Sequence, residues 1–120
     1  MIKAMKVKDI KKEEGKINAY LFWGKGCPHC EIMNDFLNNL EASYTNKFTL
    51  YSLEVWYDQE NADLMMKFAN HLKDEPEYVP YLVIGENIFT GVVTEQLKEE
   101  IKNFLKLADD KTIDLFQVVK

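Results

Sequence analysis

The chain has 120 residues, 47% of them apolar and 12% aromatic, and its 20 Asp and Glu against 15 Lys and Arg give a net charge of −5. That is enough sequence for one domain with one real core. The acidic balance argues against nucleic acid or an anionic membrane surface as a partner, and no apolar run reaches the roughly 18 residues that a membrane span requires.

Residues 1–16 interleave Lys and Glu with Ile2, Met5, Val7 and Ile10, a pattern that fits a short edge strand and a helical turn. No apolar segment of the kind found in secretory signals lies between Met1 and Lys16. The sequence as written is therefore expected in the cytoplasm, and in an exported setting if a signal segment was removed. Ile17 to Trp23 is nearly continuous in apolar character and is closed by Gly24. Such a run fits a central strand covered on both faces.

From Pro28 the periodicity becomes helical. Ile32, Met33, Phe36, Leu37 and Leu40 recur at spacings of three and four, with Glu31, Asn34, Asp35 and Asn38 opposite. Pro28 suits the first turn, where a missing N–H costs nothing, and the helix should fade near Ser43 and Tyr44. Phe48 to Trp56 reads as a second strand. A second helix follows from about Gln59 to Leu72, with Ala62, Met65, Phe68, Ala69 and Leu72 inward; its methionines read as core packing rather than a cofactor box.

After the loop Asp74 to Glu77, the stretches Tyr81–Ile84 and Asn87–Val92 form a hairpin turning at Gly85 and Glu86. Thr94 caps a last long helix that turns Leu97, Ile101, Phe104, Leu105 and Ala108 inward. The tail from Lys111 to Lys120 carries Ile113, Leu115, Phe116 and Val118 and is expected to dock. Acidic groups at 54–63, 74–77 and 95–100 read as solvated faces. The order strand, helix, strand, helix, hairpin, helix predicts an α/β fold, a mixed sheet with helices on both faces. It forms a single domain, residues 1–120, with a core at 17–107 and both ends packed on it.

The two cysteines of the chain lie at the junction of the first strand and helix, in Cys27-Pro28-His29-Cys30. A Cys-x-x-Cys that opens a helix after a strand reads as a thiol–disulfide site. The nucleophile there is a thiolate, and a helix N-terminus favours it through the macrodipole and unpaired backbone N–H groups. His29, and Lys25 as a further modulator, add positive potential. Stabilising the reduced form makes the disulfide the better oxidant. Cys27, first and more exposed, would form the mixed disulfide with a partner, and Cys30 would resolve it. The dithiol is itself the redox group, so no further cofactor is expected. A static disulfide closing so short a loop would stabilise little. A zinc site, the other reading, usually needs four ligands, and only His29 and His71 remain beyond the pair. Haem attachment would need a His at position 31, where this chain has Glu31.

With Phe22-Trp23-x-x-x-Cys27-Pro28-His29-Cys30, Val79-Pro80 ahead of the hairpin, and Gly91 after its second strand, the chain resembles the thioredoxin superfamily over residues 17–107. The resemblance implies a thioredoxin-like fold and a thiol–disulfide oxidoreductase. Its substrates would be protein thiols or disulfides, and its recharging partner a redox protein or a small thiol. A monomer is expected. The resemblance further implies that Pro80 is cis and faces the dithiol, and that the backbone of Val79 binds the substrate chain. The Pro28-His29 dipeptide is similar to that of DsbA-type oxidases, although the long helical insertion of those proteins is absent.

Two departures stand out. Leu21 occupies the place of a buried aspartate common in thioredoxins, and Gly26 the place of the aromatic before the first Cys. Glu54 falls where those proteins often carry a partner lysine. It reads either as a replacement buried acid or, preferred here, as an exposed strand-end carboxylate. The direction of exchange stays open, because His29 points to an oxidant and the signal-free N-terminus to a reducing compartment. A non-enzymatic thioredoxin-like module that docks a partner through Val79-Pro80 is the alternative.

Overall fold

The computed structural model describes residues 2–44, 47–109 and 111–120. At its centre is β1, Ile17–Trp23, in which all seven residues are buried. The sheet order is β2-β1-β3-β4, so β1 is flanked on both edges. On one side β2 (Phe48–Glu54) runs parallel to it, with Ile17 opposite Phe48 and Trp23 opposite Glu54. On the other side β3 (Tyr81–Ile84) is antiparallel, and β4 (Asn87–Thr90) completes the hairpin at the edge. A parallel pair cannot be joined by a tight turn, and here α1 (Pro28–Ser43) makes the crossover.

Alternation along β1 divides the core in two. Ala19 and Leu21 pack with Met33 and Leu37 of α1 and with Ile101 and Leu105 of α3 (Glu95–Leu107). Tyr20 and Phe22 point the other way, towards Leu64 and Phe68 of α2 (Gln59–His71) and Leu115 of α4 (Leu115–Val119). Successive strand side chains face opposite sides, so an apolar run of this length requires cover on both. The second core is rich in rings: Phe68 meets Tyr20 and Phe22 edge-on at 5.1 and 5.5 Å.

Both chain ends pack on this frame. Met5 makes a single parallel bridge to Leu53, followed by a 3-10 turn at Val7–Asp9, so the expected edge strand is reduced to one residue. At the other end Asp114 caps α4 and accepts the Tyr20 hydroxyl at 2.5 Å, while Asn18 Nδ2 donates to both Tyr20 and Asp114. Burial, and next the bond to Asp114, push the Tyr20 hydroxyl far above its ordinary pKa. Leu115 is buried, whereas Ile113 and Val118 stay about half exposed, so the tail docks through fewer residues than its apolar content suggests.

Several expected details differ. Ile32 lies on the outer side of α1, and Asn34 is buried instead, its Oδ1 accepting the Ser52 hydroxyl at 3.2 Å. In α2, Leu64 and Asn61 are buried, while Ala62 and Met65 are only partly covered. The second strand ends at Glu54 rather than Trp56: the Val55 N–H still reaches the Trp23 carbonyl at 2.8 Å, but the N–H groups of Trp56 and Tyr57 turn back to the Glu54 carboxylate. The hairpin strand β4 stops at Thr90, before Gly91 with φ +99°.

Candidate functional site

The chain leaves β1 through Gly24, Lys25 and Gly26 and enters α1 at Cys27. The Cys27 N–H donates to the Gly24 carbonyl at 3.0 Å and closes this turn. Gly26 has φ +93°, a left-handed conformation that suits glycine. Cys27 is the N-cap of α1, and its Sγ accepts the Cys30 backbone N–H at 3.1 Å, satisfying one of the helix's unpaired donors. Pro28 takes the first helical position, where its lack of an N–H removes a donor that would have no partner.

Cys27 and Cys30 are joined as a disulfide, with Cα atoms 5.2 Å apart. Cys30 is fully buried and Cys27 is 8% exposed, so the first cysteine is the accessible one. Both belong to a buried cluster with Ile2 and Trp23, against which Val79 packs. The Val79 carbonyl oxygen lies 3.9 Å from Cys27 Sγ. The Val79–Pro80 peptide bond is cis, and the Pro80 carbonyl accepts the Thr90 hydroxyl at 2.7 Å. Cys27, Cys30 and Val79 are thus brought together, with Pro80 immediately behind. Pro28 and His29 sit exposed on the first turn of α1. His71 lies at the far end of α2, 3.7 Å from Glu86 of the hairpin turn.

Glu54 corrects the reading of an exposed strand-end acid. It is 8% exposed and is the one buried carboxylate among the described residues. Its Oε2 accepts the backbone N–H groups of Lys25 and Trp56, each at 3.0 Å, and its Oε1 that of Tyr57 at 2.8 Å. Its own carbonyl accepts Asn61 Nδ2 at 3.0 Å. Lys25 meets Glu54 through its backbone, while the residue itself is exposed. Leu21 is a fully buried apolar residue.

Trp56 is the neighbour that the sequence reading left unassigned. A Cβ built on Gly24 would fall 2.1, 2.3 and 2.5 Å from its Cδ2, Cε2 and Cε3. These atoms surround the ring fusion, so the face of the indole lies directly on Gly24. A glycine between an apolar strand and a CxxC was the available signal of a close approach. Trp56 and Tyr78, 55% and 67% exposed, both line a groove of about 480 Å³ that includes Cys27.

No protein-family model matches this sequence, and no curated protein matches it. Solved structures do. An uncharacterized thioredoxin-like protein from Clostridium perfringens, solved in solution, superposes with a TM-score of 0.61 at 21% identity, over 86% of this chain and 78% of that one. A protein from Agrobacterium tumefaciens, solved by X-ray crystallography, gives a TM-score of 0.59 at 18% identity over 80% of this chain. The match spans about half, 48%, of the Agrobacterium chain. At these identities the likeness speaks for the fold: the chain has a thioredoxin-like fold carrying a close Cys-x-x-Cys pair as a disulfide. That combination is compatible with redox chemistry.

Proposed function

We propose that this protein is a thiol–disulfide oxidoreductase that exchanges disulfides with protein substrates through Cys27 and Cys30. The observation that carries the reading is a disulfide at a helix N-terminus whose accessible sulfur lies 3.9 Å from the Val79 carbonyl, ahead of Pro80. In the reducing direction, the Cys27 thiolate attacks one sulfur of a partner disulfide. The partner's S–S bond breaks, one partner thiolate leaves, and a mixed disulfide forms. Cys30, after losing its proton, then attacks Cys27 Sγ. The Cys27–Cys30 disulfide re-forms and the second partner thiolate departs, so two electrons pass to the partner. Oxidation of a dithiol partner is the same sequence in reverse.

Each neighbour has a role in this scheme. The Cys30 N–H and the α1 N-terminus supply donors to a Cys27 thiolate. His29, exposed on the first turn, adds positive potential when protonated. Pro28 fixes the start of the helix, and the Val79 backbone, beside Cys27, would meet the partner's chain. Lys25 contributes its backbone to the loop ahead of Cys27. Direction follows from the reduction potential of the pair set against that of its surroundings: a low potential would make it a reductant of partner disulfides and a high one an oxidant of partner thiols. The recharging partner would be a redox protein or a small thiol.

The test uses insulin disulfides as substrate. Wild-type protein should catalyse their reduction by dithiothreitol, Cys27→Ser should be inactive, and Cys30→Ser should accumulate a mixed disulfide visible by mass spectrometry. A wild-type rate no higher than that of Cys27→Ser would refute the catalytic reading.

A further inference from the structure

Beside Cys27 the surface is shaped for more than the sulfur alone. The groove of about 480 Å³ is bounded by Cys27 and Pro28, by Val55 and Trp56 from the turn after β2, and by Tyr78 and Val79 from the loop before β3. Its volume lies within the range of sites that enclose a single small ligand or side chain. Two large rings are left in water on its borders, Trp56 at 55% and Tyr78 at 67% exposure. Scattered exposed apolar residues need no explanation, but here two exposed aromatic rings line the same groove as Cys27.

The indole is also held in advance. One face rests on Gly24, where no side chain larger than hydrogen fits. The Trp56 backbone N–H is fixed by Glu54 Oε2, the same oxygen that takes the Lys25 N–H from the loop ahead of Cys27. Glu54 therefore ties the Trp56 side of the groove to the segment that carries the nucleophile. With one indole face on Gly24, the rest of the half-exposed ring is what a partner can meet. A ring already seated on one side loses less freedom on contact than one free in solvent.

We propose that Trp56 is a specificity-determining residue, positioned by Glu54 and Gly24. It selects partner segments that carry an apolar or aromatic side chain next to the cysteine that joins Cys27. This inference rests on Cys27 being the exchanging thiol, as in the function proposed above. The occupant is an extended segment of a partner protein whose apolar side chain enters between Trp56 and Tyr78. The groove's lining agrees: it is mostly apolar, with Glu77 as its single charged residue, a poor match for an acidic side chain.

The experiment measures exchange at Cys27 without requiring turnover. Full-length protein carrying Cys30→Ser is mixed with single-cysteine peptides activated as mixed disulfides with thionitrobenzoate. Cys27 attacks the peptide sulfur, the peptide–thionitrobenzoate S–S bond breaks, and the coloured thionitrobenzoate leaves with the electron pair. Two peptides differ only in having Phe or Ser beside the cysteine.

The Phe peptide is expected to react about tenfold faster. Adding Trp56→Ala should reduce that preference to about twofold or less, while Trp56→Phe should keep most of it. Adding Glu54→Gln should lower the preference between these limits, with circular dichroism unchanged. An equal preference with and without the indole, or none in the Cys30→Ser parent, would overturn the proposal. Failure of the catalytic reading looks different: wild-type protein inactive on insulin, with Cys27 still selecting the Phe peptide through Trp56. That result would leave Trp56 as the selector of a binding module.

Discussion

The Glu54 carboxylate accepts the backbone N–H of Lys25 at 3.0 Å and thereby fastens the end of β2 to the loop that delivers Cys27. With the N–H groups of Trp56 and Tyr57 also bound, both oxygens are engaged by main chain. The geometry is that of a clamp between two loops. A residue at this position that could only donate, such as lysine, would leave the three N–H groups to find other acceptors.

Glu54→Ala should therefore destabilise the protein by about 2–3 kcal/mol, less than three buried donors would cost in full, because water can reach loops once the side chain is gone. Glu54→Gln, which keeps one carbonyl oxygen, should lose less. Urea unfolding at neutral pH measures both, and a change within about 0.5 kcal/mol for Glu54→Ala would show that the clamp is not holding the loops.

Gly24→Ala should expel the Trp56 indole, since the new methyl would lie 2.1 Å from Cδ2. Trp56 is a half-exposed side chain that can swing outward, so the stability loss should be modest, about 1 kcal/mol. The clearer signal is optical. Tryptophan emission should move to the red in Gly24→Ala, with Trp23 buried and unchanged, and the shift should vanish in a Trp56→Phe background.

Alkaline pH should weaken the fold through Tyr20. Burial first, and then the bond to Asp114, raise its folded-state pKa above the ordinary value of 10. The folded protein thus keeps a proton that the unfolded chain releases. Stability is intact below pH 10 and falls as pH rises above it, by up to about 1.4 kcal/mol per pH unit for this one group. Tyr51 and Tyr81 shift in the same direction, mainly through burial, so the total slope exceeds that of Tyr20 alone. Urea midpoints measured across this range should fall less steeply in Tyr20→Phe than in wild type. Parallel curves would remove Tyr20 from the explanation.

The sequence made the frame legible where apolar patterning and terminal residues agreed. Ile17 to Trp23 is a strand because seven successive residues find cover from two helical layers, while Pro28 and Gly85 mark a start and a turn by their backbone chemistry and Thr94 marks a start by its side-chain cap. It was misleading where a polar group is buried by pairing. Asn34 faces inward because Ser52 donates to it, and Glu54 because three N–H groups do, and neither partnership leaves a trace in hydropathy. The same holds for Asn61, whose Nδ2 reaches the carbonyls of Met5 and Glu54. Cys27 and Cys30 were readable from spacing, and Val79 and Pro80 from resemblance. Trp56 was not readable, because its place beside Cys27 depends on a parallel strand pairing some 30 residues away in sequence.

The most direct test of the account is the redox equilibrium of the Cys27–Cys30 pair in glutathione buffers of graded potential, read by alkylation and mass after quenching. A single two-electron transition is predicted, within the range of roughly −270 to −120 mV spanned by thioredoxin-type dithiols and disulfides. Its position would assign the direction, the oxidising end marking a disulfide donor and the reducing end a reductase. A pair that stays locked as a disulfide across those buffers, or takes up glutathione without re-forming the intramolecular bond, would contradict a thiol–disulfide oxidoreductase.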